Sequence, residues 1–188
     1  MSNNVVLEDN TQIERYPPGW LPAEDIPSIV NAAGWDKVVG IEIGVDSAMS
    51  TTWLLDNIPN LTLYGVDPYE EYSEMPDRPL SYESMVMYTK KYGYNFRLIQ
   101  KRSDDAVTHF ADESIDFVFI DGMHQYEQCK RDIENYYPKI KSGGYIFGHD
   151  YHAWKNNVDR AVNEFILESK QKIDLKFCKQ DVWYWRKE

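Results

Sequence analysis

Leu175-Lys-Phe-Cys-Lys179 and Val182-Trp-Tyr-Trp-Arg186 are two β-prone runs with only Gln180 and Asp181 between them. A parallel connection needs a crossover of a dozen residues or more, so this pair must run antiparallel. Upstream the rhythm is different. Residues 37–44, 61–67, 96–100, 115–121 and 145–148 are short apolar runs that suit buried strands. Helical segments separate them, at 50–57, 82–92, 104–110 and 126–137, and a last one carries Val158, Val162, Phe165 and Ile166. Cys129, Ile133, Tyr136 and Tyr137 share one face of the fourth by i, i+4, i+7, i+8 spacing. Strands alternating with helices predict βαβ units and a mostly parallel sheet covered on both faces. The expectation is an α/β fold that closes on an antiparallel pair.

Local signals refine this reading. Ser50 and Ser103 are candidate helix caps, and Gly143-Gly144 reads as a turn into the fifth strand. Residues 23–33 predict a short helix closed by Gly34. Tyr16-Pro-Pro-Gly-Trp-Leu-Pro22 cannot be a helix interior, so residues 1–23 read as an arm on a single domain spanning 1–188. Residues 69–95 form the longest insertion between strands and hold Tyr69, Tyr72, Tyr82, Tyr88, Tyr92 and Tyr94. Tyrosine combines a flat apolar face with a polar tip, so this insertion suits a lid over a sugar or phenolic ring. Met85 and Met87 read instead as residues packed on the sheet.

Composition narrows the function. The 188 residues carry a formal charge of −11, which argues against nucleic-acid and membrane-surface partners. No long apolar run offers a transmembrane helix, and the polar N-terminus lacks the plan of a signal peptide. Two cysteines make no disulfide framework, so reduced thiols and a cytoplasmic setting are expected. Aromatic residues at 14% exclude disorder for most of the chain. Aromatics in the arm suit a homodimer contact.

Ligands of an open α/β sheet bind outside the carboxyl ends of the strands. Those ends read Glu42-Ile-Gly44-Val-Asp46-Ser47, Val66-Asp67, Arg102-Ser103-Asp104, Asp121-Gly-Met-His124 and Gly148-His149-Asp150-Tyr-His152. The glycines of a dinucleotide loop are missing, since Asp46 and Met49 occupy the later positions. Asp46 would also repel a pyrophosphate. A cationic cofactor without phosphate fits better, and S-adenosylmethionine is one. Asp67 is placed to accept two hydrogen bonds from a ribose diol; the alternative is a turn aspartate before Pro68. His124 shares the rim with Asp121 and is a candidate general base, or else a support for the helix that follows. His109 and Cys129 read as structural.

Glu42-Ile-Gly44, Gly65-Val-Asp67-Pro68, Ile115-Asp-Phe-Val-Phe-Ile-Asp121-Gly-Met-His124-Gln-Tyr126 and Gly143-Gly144-Tyr-Ile-Phe-Gly148-His149-Asp150-Tyr151 together resemble class I S-adenosylmethionine-dependent methyltransferases, in particular the small-molecule O-methyltransferases of methyltransferase domain family 24. The resemblance covers about residues 37–187. It implies a Rossmann-like seven-stranded sheet of order 3-2-1-4-5-7-6 with strand 7 antiparallel. It places Glu42, Gly44 and Asp46 in the cofactor loop, Asp67 on the ribose, Ser103 and Asp104 at the adenine edge, and Asp121 beside the methionine end and the substrate. Metal-dependent relatives hold a divalent cation at positions that fall on Asp121, His149 and Asp150. Two carboxylates suit Mg²⁺, whereas an imidazole shifts preference toward Mn, Fe or Zn. His149 and Asp150 as a hydrogen-bonded pair without an ion is the alternative. The resemblance implies methyl transfer to a small-molecule acceptor, and Asp121 and His124 are the candidate catalytic residues at that rim. A nucleotide-dependent oxidoreductase and a non-catalytic relative are the rivals.

Overall fold

A computed structural model describes residues 5–6, 12–13, 21–70 and 78–188. Val5–Val6 and Gln12–Ile13 pair as a small antiparallel ribbon. The main sheet has seven strands: β1 (Val38–Ile43), β2 (Leu61–Val66), β3 (Phe96–Ile99), β4 (Ile115–Ile120), β5 (Ile140–Gly148), β6 (Lys176–Cys178) and β7 (Val182–Arg186). Their spatial order is 3-2-1-4-5-7-6. The pairs among β1 to β5 are parallel, and β7 runs antiparallel to both β5 and β6. The connection of three residues, Lys179 to Asp181, is one longer than the sequence reading gave and has the consequence its shortness demands.

Among the described residues six α-helices flank the sheet: α1 (Ile26–Asn31), α2 (Met49–Asn57), α3 (Arg78–Thr89), α4 (Ser103–Ala106), α5 (Tyr126–Tyr136) and α6 (Val158–Glu168). Strand alternation sorts two cores. Ile41, Ile43, Val118 and Ile120 face Ile133 and Tyr136 of α5 and Val162 of α6. Val38, Leu63, Phe117 and Phe119 face Ile26 of α1 and Leu54 of α2. All six β4 residues are buried, which the run Ile115-Asp-Phe-Val-Phe-Ile120 requires of a central parallel strand. Its one acid, Asp116, is paired with Lys141 at 2.7 Å and accepts the Val39 N–H at 2.8 Å. Gly148 lies against Trp183 of β7, where a Cβ would approach the indole to 2.1 Å, so only glycine permits this junction.

Several local expectations change. Ser50 lies inside α2, whose N-cap is Ala48 in the left-handed conformation with no side-chain cap. Ser103 opens α4 after Arg102 as N-cap, and its hydroxyl bonds elsewhere. Gly143-Gly144 lies within β5, not before it. Ile115 pairs with Ile140 and Phe117 with Tyr145, so the intervening β5 residues bulge, with Gly143 at φ +83°. The third helix begins earlier, at Arg78, and ends in a 3-10 turn over Lys90–Asn95. Met85 is buried as expected, but Met87 is exposed. Tyr16, Trp20, Tyr72 and most of the arm lie outside the described residues. No helix among the described residues is long and apolar enough to cross a membrane.

Candidate active site

Gly44 follows the carboxyl end of β1 and leads into a tight loop to α2. Its φ is +89°, and a Cβ there would meet the Asp121 carbonyl oxygen at 2.0 Å. Two non-glycine residues of the loop also adopt the left-handed region, Asp46 (φ 46°) and Ala48 (φ 67°), and Tyr69 opposite does so at φ 53°. Such conformations each cost of order 1–3 kcal/mol and persist only where neighbours over-determine them. Asp67 does that here. Its Oδ2 accepts the Val45 and Asp46 N–H groups at 3.1 and 3.0 Å, and its Oδ1 accepts the Tyr69 N–H at 2.8 Å. The Tyr69 hydroxyl donates to the Asp46 carbonyl at 2.7 Å. Asp46 turns its own carboxylate to the Ser47 hydroxyl.

Glu42 points toward α2 and is fully buried. Its Oε2 accepts the Thr51 hydroxyl, and its Oε1 has no partner among the described residues. Burial pushes this carboxyl well above the usual range; the Thr51 bond opposes the shift, and the charges of Asp121 and Asp67 add to it.

A crevice opens beside the loop, lined by Gly44, Asp67, Glu70, Arg102, Ser103 and Asp104, with Met123, Gln128, Arg131 and Asp132 on its far wall. The Ser103 hydroxyl donates to buried Asp132 at 2.5 Å, and Gln128 Nε2 reaches both at 3.0 Å. Burial raises the Asp132 carboxyl to about 6, with the Ser103 and Gln128 bonds opposing. Asp104 stays exposed and pairs with Arg131 at 3.5 Å. Sequence reasoning missed Asp132 and Gln128. The signal was present, because Asp132 occupies the i+3 position of the buried stripe that Cys129, Ile133 and Tyr136 define.

Past the crevice, β4 and β5 bring a second set of groups together. Asp121, His124 and Asp150 present one ligand atom each, all within 4.8 Å of one another. His124 Nε2 lies 2.8 Å from Asp150 Oδ2, and the imidazole stacks on Trp154 with centroids 4.7 Å apart and 2° between planes. His149 is the most buried member of this neighbourhood. Its Nδ1 lies 3.2 Å from Asp121 Oδ1 and 3.1 Å from Asp150 Oδ2. Burial works against the imidazolium, but the hydrogen bonds to Asp121 and Asp150 outweigh it and push the ring up to about 10. His124 joins Asp121 and Asp150 in a converging donor set, and His149 Nδ1 contacts the same two acids from the buried side. Asp150 sits at φ 62°. His152 is directed away, to Asp181 at 2.5 Å. His109 is exposed beside Lys101, and the Cys129 thiol donates to the Met123 carbonyl at 3.1 Å.

Known proteins resemble this chain in sequence or in fold. The chain is 28% identical over 154 residues to "Uncharacterized protein R132" of Acanthamoeba polyphaga mimivirus, covering 76% of this chain and 66% of that one. It is 30% identical over 69 residues to "Uncharacterized protein y4gI" of Sinorhizobium fredii, where it spans 8% of the relative's length. Among solved structures, the O-methyltransferase NovP superposes with a TM-score of 0.67 at 18% identity, over 88% of this chain and 78% of that one. An rRNA methylase from Streptococcus thermophilus superposes with a TM-score of 0.62 at 14% identity, over 91% and 99% of the two chains. At such identities the likeness is one of fold. Residues 41–151 match the model of the methyltransferase domain. That span runs from the Glu42-Ile-Gly44 turn through the strand-four and strand-five acids, and by it the chain belongs to the methyltransferase domain family.

Proposed function

We propose that this protein moves a methyl group from S-adenosylmethionine to a hydroxyl of a small molecule, a sugar or a phenol. The observation that carries this reading is the convergence of Asp121, His124 and Asp150 at the end of a crevice floored by the Gly44 loop. The orphaned Oε1 of Glu42, beneath that loop, is a buried acceptor suited to a cationic cofactor. Bound S-adenosylmethionine supplies an electrophilic methyl carbon on a sulfonium. The chain's own task is to align an acceptor oxygen with that carbon and take its proton. Asp150 orients the His124 ring through Nε2, and that imidazole is the group that would take the proton. The donor set of two carboxylates and one imidazole also fits a divalent cation such as Mn²⁺ or Mg²⁺, which Asp121, His124 and Asp150 would hold and which would acidify a bound hydroxyl. The formal charge of −11 favours an uncharged small acceptor over RNA.

Calorimetric titration with S-adenosylhomocysteine tests the cofactor. Saturable heat at one site is expected; folded protein that gives neither heat nor a thermal shift defeats the reading. Turnover on a panel of sugars and phenols tests the acceptor. Activity should fall in chelator and return with Mn²⁺ or Mg²⁺, whereas full activity in chelator would leave His124 acting alone.

A further inference from the structure

We infer that a second cavity, away from the crevice, binds a small aromatic carboxylate. The cavity measures about 460 Å³, and its walls include Val39 of β1, Tyr64 of β2, Ile99 of β3, Phe110 and Ile115. Val39 and Ile115 stand near the starts of their strands, whereas the crevice lies beyond the strand ends, and no residue lines both. Its volume is that of a small-molecule site, and walls this apolar favour a hydrophobic body. Tyr64 and Phe110 meet edge to face, with centroids 5.3 Å apart and 85° between planes. A flat ring extends such a pair.

Charge decides what that ring must carry. Arg97 and His109 also line the cavity, and both are exposed. No Asp or Glu among the described residues lines it, in a chain with thirty-one acids against twenty Lys and Arg. The acids next to its lining in the chain are drawn elsewhere, Asp112 to Lys139 at 2.6 Å and Asp116 to Lys141 at 2.7 Å. Arg97 pairs with Tyr64 across the β2–β3 ladder and holds its guanidinium 5.6 Å from the centroid of that ring. Its Nε donates to the Tyr94 carbonyl at 3.5 Å, and its two terminal nitrogens bond to no described residue. Lys101 Nζ lies 3.2 Å from His109 Nε2, and neither has an acid partner among the described residues. A carboxylate matches the guanidinium fork, and such charge-assisted bonds are the strong ones. The negative charge of the whole chain disfavours a polyanion. One carboxylate on an aromatic body is what the cavity selects.

The test compares naphthoate with the uncharged naphthylmethanol by calorimetry, on the wild type and on Arg97→Gln, with and without S-adenosylhomocysteine. One saturable site for naphthoate is expected in the wild type, with naphthylmethanol weaker by about tenfold or more, the range for a hydrogen bond to a charged group. Arg97→Gln should lower naphthoate affinity by about tenfold and leave naphthylmethanol within about twofold of its wild-type value. S-adenosylhomocysteine should leave naphthoate binding in place, because the two cavities share no residue. Absence of a saturable naphthoate site overturns the assignment, as does equal affinity for the acid and the alcohol. Naphthoate affinity that survives Arg97→Gln overturns it too, and so does displacement of naphthoate by S-adenosylhomocysteine. His109→Ala should act in the same direction as Arg97→Gln, and it decides the matter should Arg97→Gln fail to fold.

Discussion

The two halves of the site are built differently. On the side of β1 and β2, backbone does the work: Asp67 gathers three amides, and the loop that it clamps holds left-handed residues in place. On the side of β4 and β5, side chains do it: His149 bridges Asp121 and Asp150, and Asp150 in turn holds His124. A backbone-built half is stiff and tolerates no change of shape. A half built from side chains tolerates exchange but responds to charge. Gly44 joins the two, since the space where its Cβ would stand is filled by the Asp121 carbonyl.

Gly44→Ala should therefore break both halves together. The strained φ and the 2.0 Å overlap predict a loss of about 4 kcal/mol or more in a denaturant titration, and no detectable heat with S-adenosylhomocysteine. A variant of near-native stability that still binds would show that the halves are independent.

Asp132 sharpens the contrast, because it is a buried charge on the crevice wall that α5 supplies between the two halves. Its carboxyl is raised from 3.8 to about 6, so its contribution to stability is fully present below pH 3.8 and is lost as pH rises through about 6. Asp132→Asn removes that slope. Relative to the wild type, the variant should gain on the order of 3 kcal/mol between pH 3.5 and pH 7. Parallel stability curves for the two proteins would mean that Asp132 ionises without penalty.

What the sequence made legible follows the same division. Strand order and the antiparallel tail depend on run lengths and gap lengths, which are local, and Gln180-Asp181 left one outcome for β6 and β7. The loop lacks the later glycines, and Ala48 takes a left-handed φ of 67° in their absence, which no local signal announces. Pairings across the fold were not legible. Asp121, His124, His149 and Asp150 all read as rim residues, but which imidazole faces the acids and which braces them depends on how β4 and β5 sit side by side. Asp67 shows the limit most clearly. The ribose and turn readings use the same residue at the same strand end, and the amides of Val45, Asp46 and Tyr69 that reach it come from segments the local run does not reveal.

His124→Ala probes the charge-governed half alone. Loss of a positioned base should cost about a hundredfold in kcat/KM. Affinity for S-adenosylhomocysteine should change less than twofold, because His124 does not line the crevice. Equal losses in both measurements would tie His124 to the cofactor instead.

The smallest effect is expected where the halves meet underneath. Glu42 lies between the Asp67 and Asp121 charges, and burial favours its neutral form. Glutamine keeps the shape and cannot ionise, so Glu42→Gln should change stability at pH 7 by less than about 1 kcal/mol. Its amide retains an oxygen for the Thr51 hydroxyl, and the bond that glutamate makes through Oε2 survives. The buried Oε1 position becomes an NH₂ donor, which a cationic ligand group above it would not tolerate. Unchanged stability with weakened S-adenosylhomocysteine binding would place the cofactor's amino group over Glu42. Stability and affinity both unchanged would make Glu42 a residue of β1 that only packs on α2, and the cofactor's charged end would then belong to the β4 side.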